Sequence, residues 1–137
     1  MIKSNFGHLQ INVNPQNLPF YKDLLGFLGW AVWYEEAGML GVGNEQGGSL
    51  WFCGQTKPVD NDYDGVGMNH IGLAVSSPAD VDQTVAFLQE HAVPALFETP
   101  RHRPEFSAGP EKDYYQVMFE SPDRVLFEVV YTGPTVN

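Results

Sequence analysis

The sequence predicts an α+β fold in which two tandem βαβββ modules form curved mixed β-sheets around a cleft, with the helices outside. Two observations support this prediction. The order strand, helix, strand, strand, strand can be read twice along the 137 residues, and each copy opens with a strand led by a histidine, His8 or His70. A polar stretch rich in Asp, Gly and Pro separates the copies. Because one such unit alone leaves a sheet face uncovered, the two copies are expected to pack together.

The domain organisation follows from this repeat. The first module is expected over residues 1–54, a linker over 55–67 and the second module over 68–137. A chain of this length suits one compact domain, so the two modules are expected to share one.

The first module begins with residues 6–13, where polar and apolar side chains alternate as in a half-buried strand. Residues 17–28 then place four leucines and a tyrosine at helical spacing, and Gly29 follows as a stop. Three short runs rich in aromatic and apolar residues predict the remaining strands. These runs are 30–34, 39–42 and 49–53.

The second module restarts with a strand over 68–75. Ser77 is a candidate N-cap and Pro78 suits the first helical position, so a helix is expected from there to about residue 92. Three more strands are predicted, over 95–98, 114–119 and 124–131. The stretch 99–113 is expected to be a long loop that covers the mouth of the cleft, as functional lids do.

Composition narrows the class of partner. Seven Lys and Arg against seventeen Asp and Glu give a net charge of −10, which opposes binding to nucleic acid or to anionic membranes. A neutral or cationic small molecule is the more compatible ligand. Cys53 is the single cysteine, so no internal disulfide is expected. With neither a signal-like segment nor a long apolar stretch in the sequence, a cytoplasmic location is expected.

Alternation along a strand assigns the polar residues of the histidine-led strands to one face. In the first of these strands His8, Gln10 and Asn12 share a face, and the residues that share a face with His70 are small. This face therefore predicts a cavity. Glu128 lies in an apolar strand, where an unpaired carboxylate is costly, so it needs solvent, a partner or a metal ion. Two imidazoles and a carboxylate that meet in one cavity can bind a divalent metal ion and leave positions open for substrate.

The end of the second module carries the most specific motif. Residues 119–130 read Phe-Glu-Ser-Pro-Asp-Arg-Val-Leu-Phe-Glu-Val-Val. Together with the paired histidine-led strands, they resemble the vicinal oxygen chelate superfamily, which includes glyoxalases, bleomycin resistance proteins and extradiol dioxygenases. The resemblance covers nearly the whole chain. This chain departs from the usual motif of that superfamily in having Ser121 in place of Asp and Arg124 in place of Gly.

The resemblance implies a metal cofactor and a homodimer. His8, His70 and Glu128 would bind one divalent ion of Fe, Mn, Zn, Ni or Mg, and Glu128 would also be the catalytic residue. In many members of the superfamily the ligands come from two chains of a dimer. The resemblance further implies a glyoxalase- or dioxygenase-like protein that polarises a small oxygen-bearing substrate, aromatic ones included, in isomerase, lyase or oxygenase-type chemistry. The alternative is a metal-free binding or sequestration protein of the bleomycin-resistance type.

Departures from individual subfamilies narrow these options. Trp51 stands near the place where lactoylglutathione lyases supply a fourth ligand, so chemistry on glutathione adducts is disfavoured. Extradiol dioxygenases carry a His before the second metal ligand and a Tyr before the ligating Glu. Gln55 and Met118 stand in those neighbourhoods here, which disfavours ring cleavage. Fosfomycin-resistance enzymes need an Arg after the ligating Glu, and no Lys or Arg follows Arg124. Bleomycin resistance proteins are acidic, as this chain is, but their ligand positions are normally empty.

The candidate substrate-binding residues come from both modules. Trp51 is expected to wall an aromatic pocket, and in the binding-protein alternative it stacks on the ligand together with Trp33. In the long loop, Arg101 or Arg103 is expected to hold an anionic group of the substrate, since a guanidinium binds a carboxylate with two hydrogen bonds. The alternative is that these arginines only form surface ion pairs with nearby glutamates. The complete set of candidates is Trp51, Gln10, Arg101, His102, Arg103, Phe106 and Tyr114.

Overall fold

The computed structural model describes residues 1–54 and 57–136 and, within them, two α-helices and two four-stranded mixed sheets. This confirms the predicted α+β class and the tandem βαβββ order. The chain divides into two compact units, Met1–Asp60 and Asn61–Asn137. No helix in the described part of the chain has the length and apolar character needed to cross a membrane.

The first unit contains four strands and one helix. Its sheet has the order β1-β4-β3-β2, in which β1 runs parallel to β4 and the other neighbours are antiparallel. The elements are β1 (His8–Val13), α1 (Leu18–Phe27), β2 (Ala31–Glu36), β3 (Met39–Gly43) and β4 (Ser49–Gly54).

Helix α1 covers one face of this first sheet. A short 3-10 turn, Pro15–Asn17, leads into the helix, and the side chain of Asn14 caps that turn by accepting a hydrogen bond from the backbone of Gln16. Tyr21 is buried and stacks on Phe52 of β4 with ring centroids 4.3 Å apart. The other face of the sheet is therefore left for polar and aromatic side chains.

The second unit repeats this arrangement. Its sheet has the order β5-β8-β7-β6, in which β5 runs parallel to β8. The elements are β5 (Ile71–Val75), α2 (Pro78–Glu90), β6 (Leu96–His102), β7 (Lys112–Glu120) and β8 (Leu126–Pro134). As the sequence predicts, the Ser77 hydroxyl caps α2 by accepting from the backbone N–H of Asp80, and Pro78 occupies the first turn.

Strand β6 is longer than the sequence predicts, and the expected loop is correspondingly shorter. The ladder with β7 pairs Leu96 with Met118 and then Arg101 with Gln116, so the residues between form a bulge. Inside the bulge the Thr99 hydroxyl donates to the Leu96 carbonyl at 2.6 Å and accepts from the Met118 N–H at 2.9 Å. The Thr99 hydroxyl thus replaces a backbone acceptor for the Met118 N–H. The segment can therefore continue as a strand although it contains a proline.

The boundary between the two units falls within the segment predicted as a linker, 55–67, so that residues 61–67 belong to the second unit. Gln55, with the residue after it, lies outside the described residues. Asn61 donates through its side-chain amide to the Arg124 carbonyl at 2.8 Å. The Arg124 guanidinium in turn lies over the ring of Tyr63, 5.5 Å from its centroid. These contacts attach the segment to the turn between β7 and β8.

Candidate functional site

Glu128 lies in the centre of the second sheet. It stands opposite Gly72 of β5 and Met118 of β7, on the face away from the buried side chains of Phe127 and Val129. Glu128 is only 6% exposed. A carboxylate at this depth needs hydrogen-bond donors or a cation to remain charged.

Two neighbouring side chains of β7 supply donors. The Tyr114 hydroxyl donates to Glu128 and lies 2.9 Å from Oε2 and 3.1 Å from Oε1. The amide nitrogen of Gln116 donates to Oε2 in a short hydrogen bond. Burial, followed by the hydrogen bond to Glu128, raises the pKa of Tyr114 to about 12, so its proton stays on the phenol at neutral pH. Tyr114, which the sequence predicts as a substrate-binding residue, thus donates a hydrogen bond to the carboxylate in this structure.

His70 lies beside Glu128, immediately before β5. Its Nε2 is 3.8 Å from Oε1 of Glu128, and its Nδ1 is 2.7 Å from Oδ1 of Asn69. The amide nitrogen of Asn69 donates to the Tyr63 carbonyl at 3.0 Å, so the oxygen end of that amide must face the imidazole. In the neutral ring the proton is therefore on Nδ1, and the lone pair is on Nε2, the nitrogen nearer to the carboxylate.

The chemistry of these two donors fits a divalent metal ion. A neutral imidazole whose other nitrogen donates to an amide oxygen is the form in which histidine binds metals. Ligand bonds of about 2.0–2.2 Å place neighbouring donor atoms roughly 3–3.6 Å apart, which is close to the 3.8 Å between Nε2 and Oε1. His70 and Glu128 are thus suited to bind one ion together.

The third predicted ligand, His8, belongs to the first unit. It opens β1 opposite Ser49, on the same face as Gln10, which pairs with Trp51. Of the three predicted ligands, the structure brings His70 and Glu128 together in the second unit. Within residues 1–54 and 57–136 no group of three His, Cys, Asp or Glu side chains is gathered as a metal site.

An aromatic shelf, made of Trp33, Tyr34 and Trp51, lies on the open face of the first sheet. A Cβ added to Gly41 would meet the Trp51 indole at 2.5 Å, and one added to Gly43 would meet the Trp33 indole at 2.1 Å. The two glycines of β3 therefore let both indoles lie flat on the strand. Tyr34 tilts against Trp51 with ring centroids 5.9 Å apart.

The sequence predicts part of this shelf, namely the two tryptophans. The indole N–H of Trp51 donates to the Ser49 hydroxyl at 3.0 Å, and Trp33 is 54% exposed. Trp51 therefore lies on the open face, as alternation predicts. Gly41 lies in the predicted strand and Gly43 extends it, but the close approach of the two indoles to these glycines appears only in the folded chain.

The loop after β6 is linked to Glu128 indirectly, because its Arg103 contacts Gln116, which in turn contacts Glu128. The Arg103 guanidinium lies 4.6 Å from the centroid of Phe106, and its Nη1 donates to the Gln116 side-chain oxygen at 3.4 Å. Phe106 in turn packs edge-on against Tyr114, 5.6 Å between centroids. Two of the predicted substrate-binding residues, Arg103 and Phe106, are thus next to the hydrogen-bonding partners of Glu128.

The ion pairs expected as the alternative role of the arginines are both present. Arg103 pairs with Glu105, and this hydrogen bond lowers the pKa of Glu105. Arg101 stands opposite Gln116 in the ladder and lies 3.4 Å from Glu98.

His102 lies on the other face of the second sheet. It pairs with Tyr115 and stacks on that ring, 4.4 Å between centroids, and its Nδ1 is 2.7 Å from Asp113. Tyr115 donates to Asp82 of α2 at 2.6 Å, so this is the helix side. The structure does not bring His102 to Glu128, because the bulge in β6 determines which face each later residue takes.

Comparison with known families decides the identity of the fold. The model of the Glyoxalase/Bleomycin resistance protein/Dioxygenase superfamily matches residues 5–129. The chain belongs to this superfamily. The resemblance carried by the histidine-led strands and by the motif that ends at Glu128 is thereby confirmed.

Solved structures of the superfamily share the fold over almost the whole chain. A putative glyoxalase from Bacillus halodurans is 25% identical, with a TM-score of 0.76 over 92% of this chain and 94% of that one. A glyoxalase/bleomycin resistance protein from Albidiferax ferrireducens T118 is 20% identical, with a TM-score of 0.73 over 92% and 98%. A lactoylglutathione lyase from Agrobacterium tumefaciens is 14% identical, with a TM-score of 0.67 over 95% of each chain. Comparison with curated proteins gives no match.

The turn that departs from the usual motif of the superfamily is still well formed. The Ser121 hydroxyl accepts hydrogen bonds from the backbone N–H groups of Asp123 and Val125, at 3.2 and 3.0 Å. Arg124 adopts a φ of 57°, the left-handed conformation that glycine takes most easily. The turn is thus closed by the Ser121 hydroxyl and by a non-glycine residue in the left-handed conformation.

Proposed function

We propose that the protein holds a divalent metal ion with His70 and Glu128, with His8 as a third ligand, and uses it on a small oxygen-bearing substrate. One observation carries this proposal. His70 Nε2 lies 3.8 Å from the carboxylate oxygen Oε1 of Glu128, while the side-chain oxygen of Asn69 lies 2.7 Å from Nδ1 and favours the imidazole proton there. Two acceptors in this relation are stabilised by a cation between them.

When bound, such an ion supplies Lewis-acid polarisation of a substrate oxygen. The residues of the chain contribute the rest. Tyr114 holds its phenolic proton at the carboxylate, since its pKa is about 12, and so donates a hydrogen bond to Glu128 rather than removing a proton from substrate. Phe106 and the guanidinium of Arg103 form the loop side of the site, where a substrate with an aromatic or anionic part would contact them. In an isomerase, lyase or oxygenase-type reaction we assign Glu128 the role of proton acceptor, which requires that one of its carboxylate oxygens is released from its other contacts.

Metal content tests this proposal directly. Wild-type protein purified without chelator is compared by elemental analysis with His70→Ala and with His91→Ala as the matched control. His91 lies at the end of α2, where its ring bonds to the Phe87 carbonyl at 2.8 Å. We expect about one divalent ion per chain in the wild type and in His91→Ala, and a loss in His70→Ala. Equal, near-zero content in all three would reject the metal function.

The aromatic shelf supports a second candidate, a metal-free binding function. Two indoles laid flat on glycines provide a broad π-surface, and the net charge of −10 favours a planar cationic ligand. Quenching of tryptophan fluorescence by a planar cationic dye tests this function. Trp33→Ala should abolish the quenching, whereas Trp30→Phe, outside the shelf, should keep it. Binding that survives Trp33→Ala would reject the shelf as the site.

The predicted homodimer remains a proposal. Light scattering on a gel-filtration peak measures the mass in solution, and a mass of one chain, 15.3 kDa, would reject a stable dimer.

A further inference from the structure

We propose that Gln116 and Arg103 are positioning residues that hold Oε2 of Glu128 and thereby leave Oε1 for a divalent ion beside His70. The inference rests on the metal site proposed above. It concerns two residues that lie outside the motif at residues 119–130.

The first step is the orientation of the Gln116 amide. Gln116 is 2% exposed and lies between a carboxylate, which only accepts hydrogen bonds, and a guanidinium, which only donates them. Its nitrogen must therefore face Glu128 and its oxygen must face Arg103, as the structure has them. Arg103 thus favours the one amide orientation in which Gln116 is a donor to the carboxylate.

The second step is the inequality of the two carboxylate oxygens. Oε2 of Glu128 receives the Gln116 amide and the nearer contact of the Tyr114 hydroxyl, at 2.9 Å. Oε1 lies 3.1 Å from that hydroxyl and 3.8 Å from His70 Nε2. Oε2 thus accepts two hydrogen bonds, whereas Oε1 has only the longer contact with the Tyr114 hydroxyl, so Oε1 is the atom that keeps a lone pair for an ion.

The third step is that Arg103 is held in place by contacts other than Gln116. Its side chain is 22% exposed, it packs over Phe106, and it pairs with Glu105. Removal of Gln116 therefore leaves the guanidinium anchored, whereas removal of Arg103 frees the amide of Gln116 to turn. The two substitutions act on the carboxylate through one amide, and their effects should not add.

The direction in which loss of Arg103 changes the metal affinity distinguishes a positioning role from a purely electrostatic effect of its charge. A guanidinium near a bound dication repels it, so loss of Arg103 by itself would tighten metal binding. If Arg103 acts by orienting Gln116, its loss weakens metal binding instead.

The test measures the affinity of metal-depleted protein for Mn²⁺ by calorimetric titration, and the visible absorption of the Co²⁺ form as a report on ligand geometry. The variants are Gln116→Met, Arg103→Met and the double variant. Arg124→Met, which removes a cation of the same unit that lies over Tyr63, is the matched control. We expect Gln116→Met to weaken Mn²⁺ binding by roughly 10–100-fold and to shift the Co²⁺ bands. Arg103→Met should weaken binding less, the double variant should equal Gln116→Met, and the control should bind as the wild type does.

Unchanged affinity in Gln116→Met, or tighter binding in Arg103→Met, would overturn the inference while the metal function stands. A wild type that binds no Mn²⁺ would overturn the proposed function and this inference together. Circular dichroism reports whether Gln116→Met folds. If it does not, Arg103→Met decides alone, because that side chain lies at the rim of the unit and the sign of its effect is diagnostic.

Discussion

The backbone carbonyl of Tyr63 accepts the side-chain amide of Asn69 at 3.0 Å, and this contact determines which nitrogen of His70 carries the proton. Without it the Asn69 amide could turn and present its nitrogen to the imidazole. The residue before the predicted ligand is therefore as informative about the site as the ligand itself.

Asn69→Leu is expected to weaken Mn²⁺ binding by about tenfold, because His70 Nδ1 loses its acceptor and both tautomers become populated. The measurement is the same calorimetric titration. Asn61→Leu is the matched control, since Asn61 also donates to a backbone carbonyl of this unit but does not contact His70. Equal loss in both variants would mean that the effect comes from the chain segment and not from the tautomer.

Tyr114→Phe is expected to lower the free energy of unfolding by about 1–3 kcal/mol in metal-free protein, because a buried carboxylate loses a donor. Tyr115→Phe removes a hydroxyl that makes a solvent-exposed hydrogen bond to Asp82 of α2 and should cost less, under about 1 kcal/mol. Urea unfolding at neutral pH compares the two. A larger loss in Tyr115→Phe would contradict the importance of the Glu128 contact.

Stability should also fall in alkali. The pKa of Tyr114 and that of Tyr115 are raised from 10 to about 12 in the folded protein, mainly by burial. Between these values the unfolded chain releases phenolic protons that the folded chain retains, so unfolding becomes more favourable as the pH rises. We expect the urea midpoint to decline from pH 10 to pH 12, less steeply in Tyr114→Phe and in Tyr115→Phe. A midpoint equally pH-dependent in all three proteins would exclude these phenols as the cause.

Gly43→Ala is expected to displace the Trp33 indole, because the added methyl group would lie 2.1 Å from that ring. Overpacking of this kind costs about 1–3 kcal/mol, and the variant should lose any binding of planar dyes. Gly26→Ala is the matched control, since a methyl group there meets nothing within 4 Å and α1 should be stabilised by up to about 1 kcal/mol. Thermal unfolding and tryptophan fluorescence measure both effects, and an unchanged spectrum in Gly43→Ala would contradict the shelf.

Ser121→Ala is expected to cost about 1–2 kcal/mol, because the N–H groups of Asp123 and Val125 lose a shared acceptor in a buried turn. Ser121→Asp restores the usual residue of the superfamily and should keep most of the stability. Ser107→Ala, which removes a hydroxyl that bonds in an exposed loop, is the control. If Ser121→Ala unfolds at the same urea concentration as Ser107→Ala, the hydroxyl is not what forms the turn.

Much of this arrangement is predictable from the sequence, because it depends on local rules. Period-two alternation places Glu128 on the face opposite Phe127, and the Ser77-Pro78 pair marks the start of α2. The family motif adds the role of Glu128, which alternation alone leaves open.

The site residues whose roles could not be predicted from the sequence depend mainly on how neighbouring strands align with one another. The bulge between Leu96 and Arg101 has a length that no sequence rule gives, and it decides that His102 lies on the helix side. Gln116 is similar, because its importance appears only when β7 is aligned with β8 and the amide meets Glu128. The role of Asn69 depends on a carbonyl in a segment that reads as a linker.

The contact of Trp33 with Gly43 also constrains how this protein can diverge. Any side chain at position 43 is incompatible with an indole lying flat on the strand, whereas a smaller residue at position 33 makes a larger one at 43 acceptable. The two positions are therefore expected to change together among descendants of this sequence. A relative with other residues at both positions lacks the flat aromatic surface. Its ligand preference should therefore differ, even where Glu128 and His70 are retained.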